Sequence, residues 1–321
     1  MTATFADMIN EVSMNLSGYT LIQDRATYIK SDVAATASTI ATPIVLSLAS
    51  SDNLGKGVVE INEELFWVDN YDRLANTATI SPYGRAYLGT TLATHTAGDK
   101  VTISPVFPRF AIKRAINDTI NAIGSSIFAA NTTTITYSTA VSAYKLPATG
   151  DSLDIRNILS VAYQSIGPSK EWIPIKNWRF DGNANATAFD SGQTISIYDG
   201  ITSGRTIQIV YSKDPTPFTT TINATYTTLA LINNQVFTNI TKLPASCKDL
   251  VVLGATYRLL SNLDPARASM VSPQADETDS KRPYGSSQSI TKQIYTLFTQ
   301  RLNEEIRNQQ DRYPIRIHYS V

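Results

Sequence analysis

Two helix-forming stripes separated by a long segment of a different period constrain this chain most. Phe5, Met8, Ile9, Val12 and Leu16 repeat at helical spacing, and the next such stripe, Ile112, Ala115, Ile116, Ile120 and Ile123, comes only after a strand-and-turn stretch. Each follows the i, i+3, i+4, i+7 rule of a helix that must bury one face against a partner. The simplest solution packs the two on each other and lets the segment between them project outward. Such a plan suits a spacer or ring subunit better than an enzyme pocket.

Between Thr20 and Ser104 the pattern shortens to alternating runs. Val58, Ile61, Leu65, Trp67, Thr77, Thr79, Val101 and Ile103 read as strand positions, with turns at Asp52-Asn53, Gly55, Asn70, Asn76 and Gly98-Asp99. The expectation is a small β-barrel or sandwich inserted over residues 20–105, stopped by Pro105 and Pro108 because proline cannot donate to a ladder. A second strand-rich unit, a β-sandwich over 131–245, is expected from runs at Ile135–Ser138, Ile158–Tyr163, Trp172–Trp178, Thr194–Tyr198 and Thr206–Tyr211. Asp181-Gly182-Asn183 and Asp199-Gly200 supply candidate positive-φ turns.

From Lys248 the helical period returns with Leu250, Leu253, Tyr257 and Leu260, and a last helix carries Ile290, Ile294, Leu297, Arg301, Leu302 and Ile306. The polar stretch between them, Ser272 to Ser289, reads as a mobile loop. The fold class expected is therefore α+β: a split helical bundle from residues 1–19, 106–130 and 246–311, with both β units inserted. Beyond Pro314, Ile315, Ile317, Tyr319 and Val321 alternate with polar residues, so 312–321 reads as an extended arm able to pair with an exposed strand edge.

Chemistry is sparse. His95 and His318 are the only histidines, which leaves almost nothing for a Ser-His-Asp triad or a histidine metal site. The single Cys247 excludes an intrachain disulfide and reads as a small core residue. Gly55-Lys56-Gly57 lacks the spacing of a phosphate loop. The neighbours Glu63 and Glu64 should point apart, which makes them a poor hydrolytic pair. No catalytic, metal or cofactor site is expected.

Charge is also low. Charged residues are 17% of the chain, against about 25% in an average domain, and Lys+Arg 27 balances Asp+Glu 27. Nothing in that balance drives phosphate neutralisation. Arg301, Arg307, Arg312 and Arg316 lie close to Glu304, Glu305 and Asp311 and read as a solvated helix face. No apolar run approaches the ~20 residues of a membrane span, and no secretory signal precedes the first helix, so a soluble protein is expected.

One segment is more distinctive: Gly57-Val58-Val59-Glu60-Ile61, then Glu64-Leu65-Phe66-Trp67-Val68, then Tyr83-Gly84-Arg85-Ala86-Tyr87-Leu88-Gly89-Thr90, His95 and Gly98. It resembles a β module of tailed-bacteriophage virion proteins in which a GRGYxGT…HxxG stretch follows a strand bearing Glu-Leu and an aromatic, with Ala86 in place of the second glycine. Gly84 and Gly89 suit tight turns, Arg85 can bond exposed carbonyls, and His95 near Gly98 can fix the next turn.

With Phe107-Pro108-Arg109, Ala115-Ile116-Asn117-Asp118, Ile209-Val210-Tyr211, Leu253-Gly254-Ala255 and Tyr257-Arg258-Leu259-Leu260 in order, most of the chain resembles phage head-to-tail adaptor, or neck, proteins. The resemblance implies a structural protein of the virion neck, assembled in the bacterial cytoplasm. It implies a homo-oligomeric ring of about twelve copies, since heterologous contacts can close by rotation. Its partners would be the portal ring above, tail or neck proteins below, and double-stranded DNA passing weakly through the lumen, with no membrane. The arm residues Arg312, Tyr313, Ile315, Ile317, Tyr319 and Val321 would dock on portal. A tail terminator or baseplate protein is the nearest alternative, and a carbohydrate-binding receptor-recognition protein is the alternative of another class.

Overall fold

A computed structural model describes residues 2–20, 24–147, 155–185, 187–261 and 286–314. The protein is mixed α+β, with six α-helices among the described residues, a curled half-barrel sheet and two further sheets.

Helix α1 (Phe5–Thr20) starts at Thr4, whose hydroxyl accepts from Asp7 N while Asp7 Oδ2 accepts from Thr4 N. That reciprocal pair satisfies two amides that a helix start leaves open. Helix α2 (Arg109–Ile123) follows an extended Pro108. Helices α3 (Leu229–Asn233) and α4 (Phe237–Thr241) are single turns; α5 (Lys248–Ser261) and α6 (Ser286–Arg312) are longer. The helix α6 takes in 286–289, which the sequence placed in a loop; the remainder of that loop lies outside the described residues.

The stripes predicted on α1 and α2 are all buried, and they share one apolar cluster with Leu250, Val251, Ala255 and Leu259 of α5 and Ile294 and Phe298 of α6. Two details differ from the sequence reading. Phe298 of α6 is buried, whereas its neighbour Leu297 is 43% exposed. Helix α5 is buried on several sides, through Val251, Val252, Gly254 and Thr256 as well as Leu250 and Leu260. Phe218, Ile232, Phe237 and Leu243 also enter this cluster, although their sequence neighbourhood reads as part of the second strand-rich unit. A bridge between Thr4 and Val236 and the bond from Phe5 N to Gln235 O fasten that segment to the start of α1.

Gly254 marks the tightest approach. A Cβ there would stand 2.3 Å from Thr119 Cγ2 of α2 and 2.9 Å from Phe298 Cε2 of α6, so only glycine lets the three helices meet.

The first β unit is an antiparallel six-stranded sheet in the order β1-β6-β3-β4-β5-β2: β1 (Arg25–Tyr28), β2 (Val45–Ser47), β3 (Gly57–Ile61), β4 (Glu64–Asp72), β5 (Thr77–Ile80) and β6 (Lys100–Ile103). Bonds from Lys30 N to Ser47 O and from Ala49 N to Tyr28 O draw the chain beyond the two edge strands together and curl the sheet. Val59, Ile61, Phe66, Val68, Ala78, Ile80 and Val101 fill its core. Asn70, read as a turn, sits inside β4 where the register with β5 shifts, a bulge rather than a chain reversal.

The second β unit contains a sheet β10-β9-β13-β7 and a sheet β11-β12-β8. Its strands are β7 (Ala129–Thr136), β8 (Tyr144–Lys145), β9 (Asn157–Gln164), β10 (Trp172–Pro174), β11 (Trp178–Asp181), β12 (Thr194–Ile197) and β13 (Thr206–Lys213). Side chains from both sheets, including Val161, Ile195, Ile207 and Ile209, share one core. The single strand expected over Trp172–Trp178 is instead two strands in different sheets, because Pro174 ends β10 and Ile175 turns inward. The two tryptophans therefore form no common row. Neither Gly182 nor Gly200 adopts a positive φ; the first turn is held by Asn183 N donating to Asp181 Oδ1.

Candidate functional site

The residues of the distinctive motif converge on one buried carboxylate. Strand alternation sends Glu64, first residue of β4, into the unit, where its side chain is 0% exposed. Arg85 reaches it from the loop after β5, with Nε 2.7 Å from Oε1 and Nη2 2.9 Å from Oε2. The amides of Ala86 and Ala93 donate to the same two oxygens at 3.0 and 2.9 Å, and His95 Nε2 lies 3.0 Å from Oε2. Burial alone would push the Glu64 carboxyl up, but the Arg85, His95 and Ala93 donors outweigh it and hold the group at about 2. An ionised carboxylate only accepts, so His95 carries its proton on Nε2.

Arg85 is equally committed. Its Nη1 donates to Ala34 O and Thr36 O, its Nη2 also donates to Ala93 O, and its guanidinium lies 4.7 Å from the Phe66 ring centroid. Every donor of the guanidinium fork has an acceptor. The carbonyl bonds expected of Arg85 are present, whereas His95 bonds the carboxylate rather than a backbone turn group. Thr90 closes the loop, its hydroxyl accepting from Leu65 N and donating to Tyr87 O.

This centre is sealed from solvent and acts on structure. It holds a loop in which Tyr83, Ala86 and Leu88 all take φ between 51° and 60°, a left-handed conformation unfavourable for side chains other than glycine. Ala86 thus stands with glycine-like φ at the position where the resembled motif has glycine. Gly84 has no positive φ; a Cβ there would lie 2.9 Å from the carbonyl oxygens of Ser81 and Trp67. Gly89 and Gly98 do take positive φ, at 80° and 95°. The loop presents Tyr83 and Leu88, 77% and 65% exposed, beside Tyr87, whose ring lies 5.3 Å from Trp67.

A second polar centre joins this unit to the helices, and sequence reasoning did not find it. Glu60 of β3 is 5% exposed and its Oε1 accepts from Arg109 N at 2.7 Å. It thereby places a carboxyl at the start of α2, which has no capping side chain of its own. Burial pushes Glu60 up to about 7. Glu63, in the β3–β4 turn, bonds Lys113 of α2 through Oε2. Burial lowers the Lys113 pKa against the pull of Glu63. Asp24, Glu60, Glu63, Arg109 and Asn233 line a cavity of about 480 Å³ at this junction. The only available signal was Pro108-Arg109 at the head of the helix, which says nothing of a carboxylate from a distant strand.

The predicted arm begins differently. Helix α6 continues through Arg312, and Tyr313 N donates to Gln309 O. The Tyr313 ring packs 5.8 Å from Phe128, and Gln309 exchanges both of its amide bonds with the Phe128 backbone. Arg312 and Tyr313 therefore belong to the helix end rather than to an extended segment; Ile315, Ile317, Tyr319 and Val321 lie outside the described residues. Nearby, Glu305 bonds Arg301 and Ser246 and contacts Cys247, whose thiol burial and this carboxylate push up to about 12. Such a thiol is no nucleophile at neutral pH.

Among the described residues no group of three or more His, Cys, Asp and Glu could hold a metal ion, and no helix is long and apolar enough to cross a membrane. No protein-family model matches the sequence, and a search of curated proteins finds no similar protein.

Proposed function

We propose that this chain is a structural virion protein, a head-to-tail adaptor that forms a ring below a phage portal and encloses the DNA channel. The observation that carries the reading is the Glu64–Arg85–His95 centre. Three of the residues through which the sequence resembles phage β modules, Glu64, Arg85 and His95, bond one another in fixing a strained loop that holds Tyr83 and Leu88 outward. Side chains sealed at 0–1% exposure suit architecture and contact, not turnover. In this reading α1, α2, α5 and α6 act as one split bundle, and the two β units face outward from it. Portal sits above, tail or neck proteins sit below, and contact with DNA is weak.

Electron microscopy of the purified chain mixed with the portal protein of the same virion tests this. The expected result is a ring of about twelve subunits closed by head-to-tail contacts and seated on the portal. A chain that forms no ring and binds no portal overturns the proposal, and a ring that caps isolated tails but ignores portal favours the tail-terminator alternative.

A further inference from the structure

Strand β7 is an edge of its sheet and pairs only with β13 among the described strands. Its ladder fixes which backbone groups face outward. Tyr137 N donates to Arg205 O, while on the other side of β13 Arg156 N donates to Ser212 O. Opposed residues bond alternately, so the odd-numbered residues of β7 bond β13, and Ala130, Thr132, Thr134 and Thr136 turn their N–H and C=O away from it. None of these groups has a hydrogen-bond partner among the described residues. The edge is also undefended. Ala129–Thr136 carries no proline, no charge and no break in register, the devices by which natural edges discourage pairing. The opposite edge, β10, is three residues long and ends on Pro174.

Helix α6 delivers the chain to the open edge. Phe128 stands just ahead of β7, and by the same alternation its N–H and C=O face outward. Both are taken by the side-chain amide of Gln309, at 3.1 and 2.6 Å, as a neighbouring strand would take them. Tyr313 then packs on Phe128. The sequence that follows, 315–321, alternates Ile315, Ile317, Tyr319 and Val321 with Arg316, His318 and Ser320. β7 is divided in the same way, with Asn131 and Thr133 buried and Thr132 and Thr134 exposed. Seven extended residues reach about 23 Å at ~3.3 Å each, the length of β7, so a segment that starts beside Phe128 covers the edge only by running in the direction of β7. We propose that residues 315–321 add to the outer edge of β7 in the same molecule as a parallel fifth strand, with Ile315, Ile317, Tyr319 and Val321 on its buried face. The tether at Tyr313 gives the segment an effective concentration of order mM at this edge, which favours it over the same strand from a second copy. The pairing is a property of the isolated chain and stands apart from the adaptor reading.

Residue-resolved amide hydrogen exchange of the full chain and of a chain ending at Pro314 tests this. In the full chain the amides of Ala130, Thr132 and Thr134 should exchange slower by about tenfold or more, while Asn131, Thr133 and Ile135, already held by β13, stay unchanged. A full chain carrying Thr132→Pro keeps the β13 ladder, because the amide it loses faces outward. That substitution should release the Ala130 and Thr134 amides and leave Asn131 and Thr133 protected, and it carries the test if the shortened chain aggregates through its bared edge. Equal exchange in the full and shortened chains overturns the proposal, as does slowing of consecutive rather than alternate residues. Protection that disappears on dilution, together with a self-associated species in sedimentation, assigns the strand to a second copy and also overturns it.

Discussion

Replacing Glu60 by glutamine should stabilise the protein at alkaline pH and matter little in acid. The Glu60 carboxyl titrates at about 7 in the folded protein, against a usual 4.5, and burial is the main cause. The folded state therefore holds this proton more tightly than the unfolded chain, and stability falls as pH rises from 4.5 to 7. Above that window the cost is complete, about 3 kcal/mol at roughly 1.4 kcal/mol per pKa unit. Glutamine keeps an oxygen that can accept from Arg109 N but has no charge to desolvate. Urea unfolding of Glu60→Gln and the parent protein should thus differ by about 3 kcal/mol at pH 8.5 and by about 1 kcal/mol at pH 5, the variant being the more stable. Comparing the two at each pH cancels the titration of every other group. A difference that is the same at both pH values, or a variant less stable at pH 8.5, would refute the argument that desolvation outweighs the bond to α2.

Glu64→Gln should do the opposite, costing about 3–5 kcal/mol at neutral pH by leaving Arg85 buried and unpaired, and the loss should shrink as pH falls from 4.5 toward 2, read by the unfolding of the first β unit. Gly254→Leu should destabilise the helical core by more than the ~1 kcal/mol that leaving glycine returns in helix propensity, because Thr119 and Phe298 already crowd the position; a rise in melting temperature would show that α5 can move away from α2 and α6.

Much of the helical part was legible because a stripe such as Phe5, Met8, Ile9, Val12 and Leu16 has one period and one explanation. Its limits show at α6, where Leu297 and Phe298 are adjacent and only the real crossing geometry decides which is buried. In the first β unit β3 to β6 were legible as short apolar runs between turn residues, whereas the edge strands β1 and β2, of four and three residues, are too short to leave a pattern. The break between β10 and β11 was harder to see, since Trp172 and Trp178 satisfy a two-residue period that Pro174 interrupts. α3 and α4 are single turns too short to leave a periodic trace, and their stability comes from packing against α1.

The polar centres illustrate a different limit. Alternation correctly separates Glu63 from Glu64, but no local pattern says that Glu64 will meet an arginine and a histidine 21 and 31 residues away. A carboxylate inside a sheet looks like a misplacement until its donors are counted in three dimensions. Glu60 is the same case, its partner being a backbone amide that carries no residue-specific signature at all.

Phe5 shares its apolar cluster with Ile294 and Phe298. On a ribosome adding about 5–20 residues per second, the first helix emerges on the order of 15 to 60 seconds before the last. Both β units have their partners close in the chain and can close during that interval. The helical stripes of α1 and α2 must wait with one side open, at risk of pairing with another nascent chain. Completion of α6 is then the step that turns finished sheets and an unfinished seam into one cooperative protein.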